Sequence, residues 1–338
     1  PDVVHLNDWH TATTIAHLAS PPPVVLTIHT LGYQGQAHRG WLDAFPHQRA
    51  LFDFRGDCNP LVGGIRGADL VVTVSPNYAA QITSPGGGFG ADTVLADKGD
   101  RLVGILNGID TDEWNPLTDP HLALHFDSSD LEPKVILRDQ LLDEFSIAPG
   151  GGPVMVMVTR LADQKGVDLV VPVVPYLHTL GARLLVLGSG DRALVDALEQ
   201  AAALAPDVLA FRNGYDEGLA HRMFAGADVF VMPSRFEPCG LAQMQAMRYG
   251  ALPLVTDVGG LHDTVVDVDQ VASRGTGIVL PEPSSLAVLD GMHRMTRAIG
   301  QSRRRQAMQR RGMATDWSWS QPAKIHLEWY ERLISEKV

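Results

Sequence analysis

Residues 154–166 read Val-Met-Val-Met-Val-Thr-Arg-Leu-Ala-Asp-Gln-Lys-Gly, an apolar run of strand length that breaks into a polar loop closed by glycine. Five apolar residues bounded by turn formers fit a strand buried on both faces of a parallel sheet. Working outward from Gly152, the same alternation of short apolar runs and helix-length amphipathic stretches continues. Strands are expected at Val154–Val158, Leu184–Leu187, Val208–Arg212, Val229–Met232, Leu252–Thr256 and Ile278–Leu280. Five or six such βαβ units make one doubly wound α/β domain. Pro172 and Pro175 interrupt the run 167–180, where the alternation asks for a helix, so that helix is kinked or starts late.

Toward the N-terminus the alternation recurs, with strands expected near Val3–Leu6, Val24–His29, Leu70–Val74 and Val103–Leu106. This is roughly half of a comparable domain. The polar stretch Thr118–Gly152, with Pro133, Pro149 and three consecutive glycines, reads as a linker around one helix, Val135–Phe145. The expected organisation is therefore a partial N-terminal Rossmann-like domain over 1–134, a second such domain over 135–316, and a closing helix over 317–338 that packs back on the first.

The chain has 338 residues, 45% hydrophobic and 20% charged, enough for two buried cores. A net charge of -12 and a pI near 5.5 exclude a general nucleic-acid or anionic-membrane surface, because the summed field repels both partners. Two cysteines, Cys58 and Cys239, make neither a disulfide framework nor a four-cysteine zinc site, which fits a reducing cytoplasm. No apolar run approaches the roughly 18 to 20 residues a membrane span needs. The sequence opens on Pro1 and runs straight into a strand-like stretch, so an upstream N-terminus is expected.

Candidate chemistry sits on loops that follow strands. Arg160 and Lys165 are the only cations between Asp139 and Ala182, and both lie just past the carboxyl end of the strand 154–158. Ligands of open α/β sheets bind at that edge, and two cations there suit a departing pyrophosphate. The alternative is two solvated loop charges. After the strand 229–232 comes Pro-Ser-Arg-Phe-Glu-Pro-Cys-Gly-Leu, residues 233–241. Glu237 is placed to accept from sugar hydroxyls, while free backbone N–H groups at Gly240 and Leu241 suit a phosphate. An acidic residue complementing a helix dipole is the plainer reading of Glu237. Gly259, Gly260 and Thr264 form a third turn, after the strand 252–256, that permits close ligand approach or simply turns tightly. His5, His10 and His29 lack the acidic or cysteine partners of a recognised metal spacing, and Asp110-Thr111-Asp112 reads better as capping than as a metal motif, so no metal is expected.

Taken in order, these strings resemble the glycogen and starch synthases, retaining glucosyltransferases of the GT-B fold. The matching stretches are Asp8-Trp9-His10, TIHTLGYQG at 27–35, TVSPNYA at 73–79, GILNGIDTDEWNP at 104–116 and TRLADQKG at 159–166. They continue with GYDEGLAHRMFAGAD at 214–228, SRFEPCGLAQMQAMRYG at 234–250, GGLHDTV at 259–265 and WSWSQPAKIHLEWYERL at 317–333. The resemblance implies two Rossmann-like doubly wound parallel-sheet domains, the N-terminal one incomplete here. It implies transfer of glucose from ADP-glucose or UDP-glucose to the non-reducing end of an α-1,4-glucan, with retention and without a metal or other cofactor. Carried over by motif, Arg160 and Lys165 contact the diphosphate, Glu237 the donor glucose, Cys239, Gly240 and Leu241 the phosphate loop, and Tyr215 the base. Asp8, His29 and Asn107 line the donor-sugar and acceptor subsites.

This sequence departs from the family at Thr30, where Asn is usual, at Ala242, where many bacterial members have Thr, and at Gln245, where the looser two-glutamate pattern of retaining GT-B enzymes has a carboxylate. The Lys-x-Gly-Gly-Leu loop that opens family members is absent. The rival readings are a sucrose- or trehalose-type transferase with a small acceptor and a non-catalytic glucan-binding derivative. Glycogen phosphorylase is disfavoured, since nothing marks a lysine for pyridoxal phosphate. Trp9, Tyr33, Trp41 and Trp114 offer flat faces for sugar stacking or fill core.

Overall fold

The computed structural model describes residues 1–337. The chain packs into two compact units, one made of residues 1–108 with the C-terminal helix from Trp319, the other of residues 109–318.

In the first unit, strands β1 (Val4–Asn7), β2 (Val24–Ile28), β5 (Leu70–Thr73) and β6 (Leu102–Gly104) form a parallel sheet in the order β1-β2-β5-β6. A short antiparallel pair, β3 (Asp53–Phe54) with β4 (Asp57–Cys58), stands apart from it. The β2 and β5 residues are buried throughout, which explains their unbroken apolar sequence. The C-terminal helix Ser320–Lys337 belongs to this unit. Its Leu333 is buried against Val25, Leu70, Val72 and Ile105, with Ile325, Trp329 and Tyr330 alongside.

The second unit is a six-stranded parallel sheet, β7 (Val154–Val158), β8 (Arg183–Gly188), β9 (Leu209–Asn213), β10 (Val229–Met232), β11 (Leu252–Thr256) and β12 (Ile278–Leu280). Its order, β12-β11-β10-β7-β8-β9, reverses between β7 and β10. That reversal sends the connecting helices to opposite faces and opens a crevice at the carboxyl ends of these two strands. The proline conflict resolves as a segmented helix: α-turns at Val167–Val170 and Leu177–Leu180 flank a 3₁₀ stretch, Val171–Tyr176, that carries both prolines.

Residues 109–134, expected to end the N-terminal domain and from Thr118 to enter a linker, instead pack into the second unit. Trp114 stacks on His221 with ring centroids 3.9 Å apart, and the buried Asp119 accepts from Tyr249 Oη at 2.5 Å. Lys134 is buried as well. It donates to the carbonyls of Ala225 at 2.6 Å and Tyr249 at 2.8 Å, and desolvation brings its pKa down to about 7. The polar composition of this segment reads as a linker because its partners lie about a hundred residues away. The compact units accordingly divide at Gly108, not near residue 134. The helix expected at Val135–Phe145 spans Pro133–Glu144, with proline in its first turn, where a missing N–H costs nothing. No helix among the described residues is long and apolar enough to cross a membrane.

Candidate active site

The loops leaving β7 and β10 meet at the point where strand order reverses. Lys165, on the first, donates to Glu237 Oε2, on the second, at 2.5 Å. Their side chains are 16% and 8% exposed, so the pair is poorly screened. Ser234 Oγ donates to the same carboxylate oxygen at 3.2 Å. Further ties hold the two loops in register. Gln164 Nε2 donates to the Phe236 carbonyl at 3.0 Å, and Arg235 N–H to the Gln164 carbonyl at 2.8 Å. The Arg235 guanidinium grips Asp168 with two bonds of 2.8 and 2.7 Å, which holds the Asp168 carboxyl below the usual carboxylate range.

Glycine placement is dictated by backbone crowding. A Cβ on Gly166, at φ 65°, would lie 2.2 Å from the Pro233 carbonyl oxygen. At Gly259, φ 42°, it would lie 1.9 Å from the Glu237 carbonyl oxygen, and at Gly260 2.0 Å from that of Cys239. The third turn is thus pressed directly onto the Glu237–Cys239 backbone, and Gly260 N–H donates to the Glu237 carbonyl at 3.0 Å. Buried Gln243 completes the frame, its Nε2 donating to the Gly240 carbonyl at 2.7 Å, the Cys239 carbonyl at 3.2 Å and Thr264 Oγ1 at 3.1 Å.

Of the residues selected from sequence, Lys165, Glu237, Cys239, Gly240, Gly259, Gly260 and Thr264 come together here. Cys239 and Thr264 are buried, and the Thr264 hydroxyl donates to the Gly260 carbonyl at 2.7 Å, so both support the loops from behind. Arg160 is exposed and reaches Gln164 Oε1 at 3.3 Å. Leu241 is 43% exposed, just ahead of the helix Ala242–Arg248, and Tyr215 is 83% exposed on the loop after β9.

The remaining three belong to the first unit. Asp8, at the end of β1, adopts φ 53°, a left-handed conformation that costs a side-chain-bearing residue about 1–2 kcal/mol. Its Oδ1 accepts the His29 N–H at 2.8 Å, while His29 Nε2 lies 3.0 Å from Asn7 Oδ1. The same left-handed conformation recurs at Gln48, Arg55, Phe89 and Ser146, so what singles out Asp8 is its bond to the backbone of a second selected residue. Asn107 follows β6 and is half-buried.

Other expectations fare differently. Asp110 Oδ1 accepts the N–H groups of Asp112 and Glu113 at 3.0 and 3.1 Å, which is capping geometry. Trp114 is committed to His221 in the second unit and Trp9 stacks on His10 with centroids 4.0 Å apart, while Tyr33 and Trp41 are 59% and 63% exposed. Sequence reading passed over Gln164, Asp168, Arg235 and Gln243, whose roles depend on which loops become neighbours. A cavity in the second unit, lined among others by Lys134, Arg138, Arg305 and Arg310, includes none of the selected residues.

Comparison with known proteins follows the same division. Residues 1–97 match the starch synthase catalytic domain family, and residues 140–312 match glycosyl transferases group 1. The glycogen synthase of Granulibacter bethesdensis is 41% identical over 348 residues, covering 99% of this chain and 72% of that protein. That of Novosphingobium aromaticivorans is 40% identical, with the same coverage. Among solved structures, the catalytic domain of starch synthase IV from Arabidopsis thaliana, bound to ADP and acarbose, superposes with a TM-score of 0.92 at 30% identity, covering 99% of this chain and 73% of that one. Sucrose-phosphate synthase from Thermosynechococcus elongatus, at TM-score 0.65 and 18% identity over 99% of this chain and 74% of that one, shares the fold. With both family regions in order and this identity along nearly all its length, the chain belongs to the glycogen and starch synthase family, GT-B hexosyltransferases that extend an α-glucan from a nucleotide-glucose donor.

Proposed function

We propose that this chain takes glucose from ADP-glucose, in preference to UDP-glucose, and adds it to the non-reducing end of an α-1,4-glucan in the cytoplasm, with Lys165, Arg160 and Glu237 at the centre of the chemistry. The observation that carries the assignment is the buried Lys165–Glu237 pair at the strand-order reversal. The starch synthase relative that holds ADP supports the choice of nucleotide.

As the bond from the anomeric carbon to the diphosphate breaks, negative charge collects on the diphosphate oxygens. Lys165 and Arg160 offset it, a task that a divalent ion performs in other transferases. With no donor bound, Lys165 is neutralised by Glu237. On donor binding it exchanges that partner for phosphate, and the freed carboxylate accepts from glucose hydroxyls. Gly240 and Leu241 N–H groups hold the phosphate, and Tyr215 covers the base. Asp8, His29 and Asn107 serve the sugar subsites of the first unit.

Lys165→Ala and Arg160→Ala are expected to lower kcat by about 10² to 10³-fold, within the range seen when one transition-state donor is removed. Glucan affinity should hardly change. Unchanged kcat would overturn the leaving-group role, and a kcat/KM favouring UDP-glucose would overturn the choice of donor. Transfer should also continue in excess EDTA. Loss of activity restored only by Mg²⁺ or Mn²⁺ would show that the cationic side chains are insufficient.

A further inference from the structure

The second unit contains a group of ligating side chains that the transfer chemistry does not use. Glu217 opens the helix Glu217–Gly226, and His221 follows it by four residues, one turn along the same face. Glu113 arrives from the turn capped by Asp110. One ring nitrogen of His221 and one carboxylate oxygen from each glutamate lie within 4.8 Å of one another.

Two acidic groups side by side are not a site by themselves. What distinguishes this place is His221, which is 1% exposed. Its Nδ1 lies 2.7 Å from Oδ2 of buried Asp119, which also accepts from Tyr249. A carboxylate at that distance holds the proton on Nδ1 and leaves a lone pair on Nε2. Nε2 is buried and has no hydrogen-bond partner among the described residues. A buried ring nitrogen left unpaired is destabilising, because its lost hydration is not replaced. Trp114 stacks flat on the ring at an interplanar angle of 11°, and the His121 ring lies tilted against it with centroids 4.8 Å apart, so its orientation is fixed. The carboxylates of Glu113 and Glu217 lie close together beside that nitrogen, two negative groups with no cation among the three ligating atoms. A cation would satisfy both deficits. A carboxylate behind a histidine whose other nitrogen is free is the arrangement that orients imidazole ligands to metal ions.

We propose that Glu113, Glu217 and His221 bind a divalent transition-metal ion of the zinc type, with Asp119 orienting the histidine and water completing the coordination. One imidazole and two carboxylates suit zinc. The 4.8 Å limit exceeds the roughly 3.4 Å between tetrahedral zinc ligands implied by their bond lengths, and the two exposed glutamate side chains supply the contraction. The ion joins Glu113 to the helix 217–226, adding to the tie that Asp119 already makes to His221, so its role is to fasten the segment 113–119. The inference does not depend on the catalytic assignments above.

The full chain, stripped with EDTA and dialysed, would be titrated with Zn²⁺ by calorimetry and with Co²⁺ by visible absorption. One equivalent of Zn²⁺ per chain is expected, with a Co²⁺ spectrum of low coordination number and a thermal midpoint raised by about 5 °C at a hundredfold excess over Kd. Glu113→Gln/Glu217→Gln alters only exposed side chains and should fold normally, yet lose at least tenfold in affinity along with the thermal shift. Asp119→Asn should weaken binding by about 10 to 100-fold. Absence of stoichiometric binding by the parent chain would overturn the proposal, as would equal binding by the double glutamine variant.

Discussion

The two units solve the same problem, presenting side chains at the carboxyl edge of a parallel sheet, by different means. In the second unit the order β12-β11-β10-β7-β8-β9 reverses, and the loops at the reversal are locked by glycines packed against carbonyl oxygens and by the Lys165–Glu237 pair. In the first unit the described strands run β1-β2-β5-β6 without a reversal, and the selected residues are held by a strained aspartate and its bond to the His29 backbone. The difference teaches where each kind of precision comes from. Backbone contacts at a crevice fix loops with little side-chain entropy to lose, whereas a side chain carrying positive φ needs its neighbours to maintain it.

The sharpest test of this contrast lies in the glycines. Gly260→Ala must displace either its own turn or the Cys239 carbonyl, and about 2–4 kcal/mol of unfolding free energy should be lost, together with nucleotide binding. Gly56→Ala in the first unit, at φ 89° with nothing within 4 Å of the new Cβ, should cost only the conformational penalty of about 1–2 kcal/mol. Equal losses in urea unfolding would show that crowding at the phosphate turns is not what selects glycine there.

A smaller effect separates the units by pH. His5 lies between Tyr330 and Thr27, and burial first, then the charges of His326 and His29, bring its pKa down to about 4. The unfolded chain therefore binds more protons between pH 6.5 and 4, so this contribution to stability is present above pH 6.5 and is lost as pH falls toward 4. After allowance for screening of a half-buried group, the loss is about 1–2 kcal/mol. His5→Gln should remove that part of the slope in urea titrations at pH 7 and pH 4.5. An unchanged slope would place the acid sensitivity elsewhere.

The smallest expected change in stability is at Asp8. Asp8→Gly relieves the positive φ but deletes the acceptor for His29 N–H, two effects of about 1 kcal/mol each and opposite sign. Stability should stay within about 0.5 kcal/mol of the parent while transfer activity falls. A variant as active as the parent would remove Asp8 from the sugar subsites.

The central strands of the second unit were legible in the sequence because buried parallel strands are apolar runs, the edge strand β9 was legible from its apolar start alone, and the β7 and β10 loops were legible because cations, a glutamate and glycines follow those strands directly. Short-range chemistry of this kind survives in one dimension. What only the tertiary structure decided involves partners far apart in the chain. The pair His221–Asp119 is separated by 102 residues, His5–Tyr330 by 325 and Lys134–Tyr249 by 115. The stretch from Thr118 to residue 134 reads as a linker because its polar side chains find those partners only after the sheet has formed, and that His221 pairs through Nδ1 but not Nε2 is visible only in the folded chain. Apolar periodicity encodes which face of an element is buried, but it carries no information about which buried polar group will meet which. That pairing follows from how the helices and loops stack on a completed sheet.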